Sequence, residues 1–295
     1  MKRIILFLLI ALSLSANAQN KKKQMFMALL SGSSEMTDPN IALGDAFLTT
    51  SATTRAYWDF TTLSGADGTV LSSHEDLSIS GTWDLDDGSG VNNPKSGIIQ
   101  RGTSSVACLR AKTASTYKEA FKTTTAATNL LKNDVEVHFL ISFEDGRNAS
   151  NNTFFGSANG GTQFFRLRVN SAGNITLEYA ASGAGLSTLT SSGATLPDGL
   201  TGVHLLRIRC DFTTDVISGM LDGIPLTFSL TSGNAVSTWN ASTWASGSRG
   251  CGIGGDWSGS FSIDTLNLKY ILKCAVTDLL TDDQYLQLAS SFLNY

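Results

Sequence analysis

The chain has 295 residues, with 21 Lys and Arg against 25 Asp and Glu and a formal net charge of −4. That mildly acidic balance excludes the clustered basic surface that nucleic-acid phosphates require. Charged residues make up only 16% of the chain and glycine reaches 28. With β-branched and turn residues plentiful and Glu scarce, the composition points to strands joined by turns rather than to helices.

Lys2 and Arg3 precede an almost unbroken apolar run from Ile4 to Leu14, and Ala16-Asn17-Ala18 places small residues where a signal peptidase reads. Residues 1–18 are therefore expected to be a bacterial-type secretory signal peptide cleaved before Gln19. The alternative is an uncleaved anchor, but a membrane-spanning helix needs about 20 apolar residues, more than this run supplies. No cysteine stands directly after the run, which closes the lipoprotein route, and no later stretch is long enough to cross a bilayer, so a periplasmic or extracellular location is expected. Lys21-Lys22-Lys23 reads as a solvated tail. Residues 19–55 lack sustained alternation and are expected to form a leader segment, ahead of a single domain over 56–295.

Period-two patterns recur from Tyr57 onward. Over Asp134–Phe143, Val135, Val137, Phe139, Ile141 and Phe143 share one face, and Glu136, His138 and Ser142 share the other, expected to be wetter. Phe165, Leu167 and Val169 lead through Asn170–Asn174 into Ile175, Leu177 and Tyr179, a hairpin pattern. His204, Leu206, Ile208, Cys210 and Phe212 mark a long strand. It is followed by Val216–Leu221, the turn Asp222-Gly223 suited to positive φ, and Ile224–Leu230. Residues 231–260 read as a long loop with a short helix at Val236–Trp244. A last strand is expected over Phe261–Lys273. Thr281 and Gln284 form a capping box for a closing helix whose Tyr285, Leu288, Ala289 and Phe292 make one apolar stripe.

The four cysteines, Cys108, Cys210, Cys251 and Cys274, show no C-x-x-C spacing, which removes zinc and redox motifs. An oxidising compartment permits disulfides. Equally, a buried free thiol serves as a small hydrophobe, and the spacing leaves the pairing open.

Three segments carry a family likeness. Tyr57-Trp58-Asp59-Phe60 with Gly65–Val70, His204–Ile208 with Asp211 and Met220-Leu221-Asp222-Gly223, and Leu279–Tyr285 together resemble the concanavalin A-like lectin/glucanase superfamily. Within it, the likeness is to laminin-G-like domains of secreted bacterial proteins. The resemblance covers Tyr57–Tyr295. It implies an all-β, antiparallel two-sheet jelly-roll sandwich with one concave face and a short C-terminal helix. Such domains bind glycans, proteins or other surfaces, and some relatives cleave polysaccharides, so the fold does not choose among these.

Catalytic patterns are missing. Paired carboxylates of a glucanase follow E-x-D-x-x-E, and none of Glu35, Glu75, Glu119, Glu136, Glu144 and Glu178 has Asp two residues later. No G-x-S-x-G elbow occurs, and His74, His138 and His204 stand far apart. A lyase built on Tyr and Arg outside known motifs, or an unrecognised glycoside hydrolase, is the remaining enzymatic reading. For binding, Trp239, Trp244 and Trp257 offer flat apolar faces to sugars within a Gly/Ser-rich loop, set against the commoner role of Trp in a core. Trp58 and Trp83 are expected in the core. Arg166, Arg168, Arg207 and Arg209 fall on outward strand faces, where they line a groove or serve as ordinary solvent-facing charge. Calcium, which the resemblance suggests as a cofactor, would take Asp84, Asp86 and Asp87 as ligands, against the plainer reading of a solvated acidic turn.

The sequence thus favours a secreted, non-catalytic carbohydrate- or surface-binding module, with a polysaccharide or cell-surface glycan as partner. The alternative is an adhesion or structural protein that binds other proteins, on a cell surface or in a phage virion.

Overall fold

Alternating apolar residues flanked by turn chemistry give this chain strands nearly everywhere the computed structural model describes it. The described residues are 46–87, 94–101, 104–113, 118–124, 130–131, 133–143, 152–159, 163–180, 186–197, 202–238, 251–255 and 269–293. A short helix α1 (Ala46–Thr50) is followed by β1 (Thr54–Asp59), a 3-10 turn at Phe60–Thr62, β2 (Ser73–His74), β3 (Leu85–Asp86), β4 (Lys95–Arg101) and β5 (Ser104–Thr113). Next come β6 (Lys118–Glu119), β7 (Phe121–Thr123), β8 (Val135–Phe143), β9 (Asn152–Asn159), β10 (Gln163–Val169), β11 (Ile175–Ala180) and β12 (Ser187–Ser192). The chain continues with β13 (His204–Asp211), β14 (Val216–Leu221), β15 (Ile224–Ser232), β16 (Gly252–Ile253), β17 (Lys269–Thr277) and the closing helix α2 (Asp282–Leu293). These elements belong to one unit running from Leu43 to Tyr295, which takes in part of the segment read from sequence as a leader.

All of the pairings between these strands are antiparallel, and they form a two-layer sandwich. In the first layer β13 lies between β14 and β8, and β8 pairs in turn with β17. The far edge of β17 is shared: Lys269–Ile271 pair with β5, and Lys273–Thr277 pair with β1. In the second layer the order runs β12–β11–β10–β9–β16–β7–β3–β2. Strand β15 joins the layers, since its first residues pair with β14 and its last with β12. The turn that sends β14 into β15 has Asp222 at φ 50° and Gly223 at φ 76°, as a two-residue hairpin requires.

One core fills the space between the layers. Phe139 of β8 meets Phe154 and Phe155 of β9 edge-on, with centroids 5.1 and 5.5 Å apart. Phe165, Leu167, Ile175, Leu177 and Tyr179 close it from the second layer. Trp58 and Trp83 are both buried here, and the Trp58 indole N–H donates to the Trp83 carbonyl at 2.9 Å. All four cysteines are free and buried.

Two expectations are corrected. The outer face of β8 is not wet: Glu136, His138 and Ser142 are as buried as their core-facing neighbours, because α2 covers that face. The last described strand is Lys269–Thr277 rather than one ending at Lys273, while 261–268 lie outside the described residues. Of the helix expected at Val236–Trp244, the described part, Val236–Thr238, is a 3-10 turn, and the remainder lies outside the described residues. The capping box stands as expected. The Gln284 amide donates to Thr281 Oγ1 at 3.3 Å, and Gln284 Oε1 accepts the Thr281 amide at 2.9 Å.

Candidate functional site

Alternation along paired strands puts every second side chain on the face turned away from the core. On the second layer, strand register aligns these side chains into two cross-strand rows. One runs Ser229–Thr190–Thr176–Arg168–Thr153. Its neighbour runs Ser232–Thr188–Glu178–Arg166–Gly156–Gly252. Strands stand about 4.8 Å apart, so the rows present hydroxyls, each both donor and acceptor, at a regular interval.

The rows change character along their length. Ser229 and Ser232 are exposed, and Thr176, Thr188 and Thr190 half-buried, while Arg166, Arg168, Glu178 and Thr153 are buried. Glu178 lies between the two guanidinium groups. It accepts from Arg166 Nη1 at 3.4 Å and from Arg168 Nη1, and Arg168 Nε donates to Thr153 Oγ1 at 3.0 Å. Gly156 leaves room for Arg166: a Cβ there would stand 2.7 Å from the Phe165 carbonyl and 3.1 Å from Arg166 Cγ. Near the open end, Thr190 and Thr231 hydroxyls are 3.3 Å apart, and Thr231 donates to the Thr188 carbonyl at 3.0 Å.

The other expected arginines belong to the first layer. Arg207 grips Glu136 through two bonds, Nε to Oε2 at 2.9 Å and Nη2 to Oε1 at 2.7 Å, and Arg209 Nη1 adds a third at 3.0 Å. The Tyr285 ring of α2 lies 4.3 Å from the Arg207 guanidinium carbon. His138 Nε2 is 3.3 Å from Glu136 Oε2 and 3.2 Å from Thr277 Oγ1. Burial by itself opposes ionisation of Glu136, but His138 and Arg207 outweigh it and hold its carboxyl at about 2. Burial pushes the His138 imidazole below its usual value, so it is neutral near pH 7.

The reading of these arginines as ordinary solvent-facing charge is corrected for Arg166, Arg168 and Arg207. They do face away from the core, yet all three are buried in ion pairs. Arg166 on β10 and Arg207 with Arg209 on β13 sit on different layers, so they do not line one groove. Arg209 keeps about a third of its side-chain exposure.

His204 Nδ1 lies 2.7 Å from Asp222 Oδ2, whose other oxygen accepts the Leu205 amide. The other ring nitrogen of His204, Nε2, is buried without a hydrogen-bond partner. Of the residues considered as calcium ligands, Asp84 accepts the Asp76 amide at 2.9 Å, Asp86 is 3.6 Å from Lys122 Nζ, and the Asp87 amide donates to the Ser72 carbonyl. Among the described residues no group of three or more His, Cys, Asp or Glu is placed to hold a metal ion. Trp239, Trp244 and Trp257 lie outside the described residues. Sequence reasoning missed Glu178, Thr153 and the threonine rows. The available signal was the hairpin itself: counting back from Asn170–Asn174 sets Arg166 opposite Glu178.

No protein-family model matches the sequence, and no curated protein matches it. Solved structures do resemble its fold. The binding domain of botulinum neurotoxin DC in complex with rat synaptotagmin II aligns at a TM-score of 0.52 and 9% identity, over 82% of this chain and 52% of that one. A structure addressing cell entry of botulinum neurotoxin type C through two ganglioside molecules gives 0.54 at 7% identity, with 82% and 52% covered. A Trypanosoma rangeli sialidase in complex with 2,3-difluorosialic acid gives 0.51 at 14%, covering 96% of this chain and 38% of that one. The chain spans about half the length of the neurotoxin chains. At these identities the likeness is one of fold: an all-β antiparallel sandwich closed by a short helix.

Proposed function

We propose that the protein is a secreted, non-catalytic module that binds a polysaccharide or cell-surface glycan on the outer face of its second layer. The observation that carries this reading is the pair of polar rows across β15, β12, β11 and β10, open at Ser229, Thr188 and Thr190 and anchored at Arg166, Arg168 and Glu178. A row of hydroxyls at strand spacing suits the repeating hydroxyls of an extended sugar chain. The fixed charges stiffen one end, so little conformational freedom is lost on binding. Trp239, Trp244 and Trp257 supply stacking faces in this reading. The absence of paired-carboxylate and serine-hydrolase motifs supports binding over cleavage. The neurotoxin and sialidase neighbours, solved with a protein or with sialic acid chemistry, support a glycan or protein as partner.

The test is a glycan array with the purified chain from Gln19 onward, run with calcium and with chelator. Binding to one polysaccharide class, weakened at least tenfold by Thr190→Ala with Thr188→Ala or by Trp→Ala at the three tryptophans, is the expected result. A blank array in both conditions would overturn the glycan reading in favour of protein adhesion, for which a pull-down follows. New reducing ends or unsaturated products from a polysaccharide panel would overturn the non-catalytic part.

A further inference from the structure

The face that α2 covers is unusual for a helix-docking surface. Leu288, Ala289 and Phe292 give it an apolar contact, but beneath Tyr285 lie Glu136, His138 and Arg207, all buried. His138 is held in one protonation state by its surroundings. Its Nε2 is placed to donate to the Glu136 carboxylate at 3.3 Å. Its Nδ1 is buried and has no hydrogen-bond partner. A neutral ring needs none, for Nδ1 then carries a lone pair. An imidazolium would carry a second N–H there with no acceptor, which is costly in a buried site. From above, the Tyr285 ring stacks at 6.0 Å, and its own hydroxyl is buried without a partner. Arg207 approaches from β13 and Thr277 from β17, so the charged groups facing His138 are the Glu136 carboxylate and the Arg207 guanidinium.

We propose that α2 is an acid-released strap: it docks only over neutral His138, and acidification favours its detachment from the outer face of the first layer. The helix lies outside the strand ladders, and the exposed Thr281 caps its start, so it can leave while the strands stay paired. An element docked on a sheet from outside its ladders opens at lower free energy than the core strands. Once the strap lifts, His138 meets water and protonates near its ordinary value of about 6.5. The fraction open then rises about tenfold for each pH unit below that value. Burial, which lowers the His138 pKa in the docked state, works in the same direction. Glu136, held low while docked, adds a second proton uptake below about 4.3, the ordinary glutamate value.

Hydrogen exchange followed by mass spectrometry tests this on the full chain, with rates corrected for the intrinsic effect of pH. Between pH 6.5 and 5.5, peptides covering 282–293 should lose about fivefold of their protection, while peptides from β10 and β11 hold theirs. His138→Gln, which cannot take up the proton, should remove the pH dependence of the helix. Equal protection of α2 at both pH values, or parallel loss in β10 and β11, would overturn the proposal, as would an unchanged pH dependence in H138Q. Should H138Q not fold, the ring signals of His138 in the wild type decide. A His138 that titrates while the helix amides remain protected overturns it, and a ring that stays neutral until they exchange supports it.

Discussion

Glu136 and Lys273 hold opposite ends of the same helix. Glu136 Oε1 accepts the Leu280 amide at 3.2 Å, just ahead of the Thr281 cap, and Lys273 Nζ donates to the Ser291 carbonyl at 2.9 Å in the last turn. Both reach α2 from the outer face of the first layer, and both are almost fully buried. An ammonium at a helix C-terminus also opposes the helix dipole. Lys273 is tied back by Asp59, 3.2 Å away, and Glu136 by Arg207 and Arg209.

Removing one member of such a pair leaves the other buried and uncompensated. Glu136→Ala is expected to lower unfolding stability by about 3–5 kcal/mol, and Lys273→Met by a similar amount. Urea denaturation midpoints read this directly. A loss under 1 kcal/mol in both would mean that the helix is held by its apolar stripe alone.

Stability should fall on acidification in two stages. His138 has a folded pKa below its unfolded value, so its contribution is present above about pH 6.5 and declines as pH drops through the range beneath it. Glu136, held at about 2, contributes fully above about 4.3 and loses that contribution between there and 2. Urea midpoints measured from pH 8 to 3 should decline from 6.5 downward and more steeply under 4.5. H138Q should shrink the upper stage without abolishing it, because burial also lowers the His74 pKa, and should leave the lower stage unchanged.

Gly156 sits where a side chain has no room. An alanine Cβ would press on the Phe165 carbonyl and Arg166 Cα, separating β9 from β10. Gly156→Ala should cost about 1–3 kcal/mol and weaken glycan binding, whereas Thr190→Ala, half-exposed, should change stability by under about 0.5 kcal/mol. Parallel thermal melts and array binding separate the two effects.

The thiols provide a check on packing. Burial pushes Cys108 up to about 12 and raises Cys210, Cys251 and Cys274 as well. A thiol-specific reagent such as Ellman's should leave the native protein unmodified over an hour at pH 7.5 and titrate four thiols once it is unfolded in urea. Fewer than four after unfolding would mean that a disulfide forms in the protein.

Much of the local structure was legible. The alternation of Val135–Phe143 places β8, Asp222-Gly223 places the β14–β15 turn, and Thr281 with Gln284 starts α2, because each of these rests on residues a few positions apart. The expected end of β17 at Lys273 falls four residues short of Thr277 for a related reason. Cys274-Ala275-Val276 does not alternate, since both faces of that stretch are buried, and a strand buried twice loses the period-two signal.

Period two states which residues share a face, and for β8 and β10 the sequence alone determined that Glu136 and His138, or Arg166 and Arg168, lie together. Whether that face meets water is a different matter, decided by what packs over it. Glu136 is buried because a helix more than 140 residues later folds back across it, and Arg166 finds Glu178 through the register of a hairpin. Only the tertiary structure turned these outward charges into buried ion pairs, because their partners come from strands and a helix that alternation along one segment does not specify.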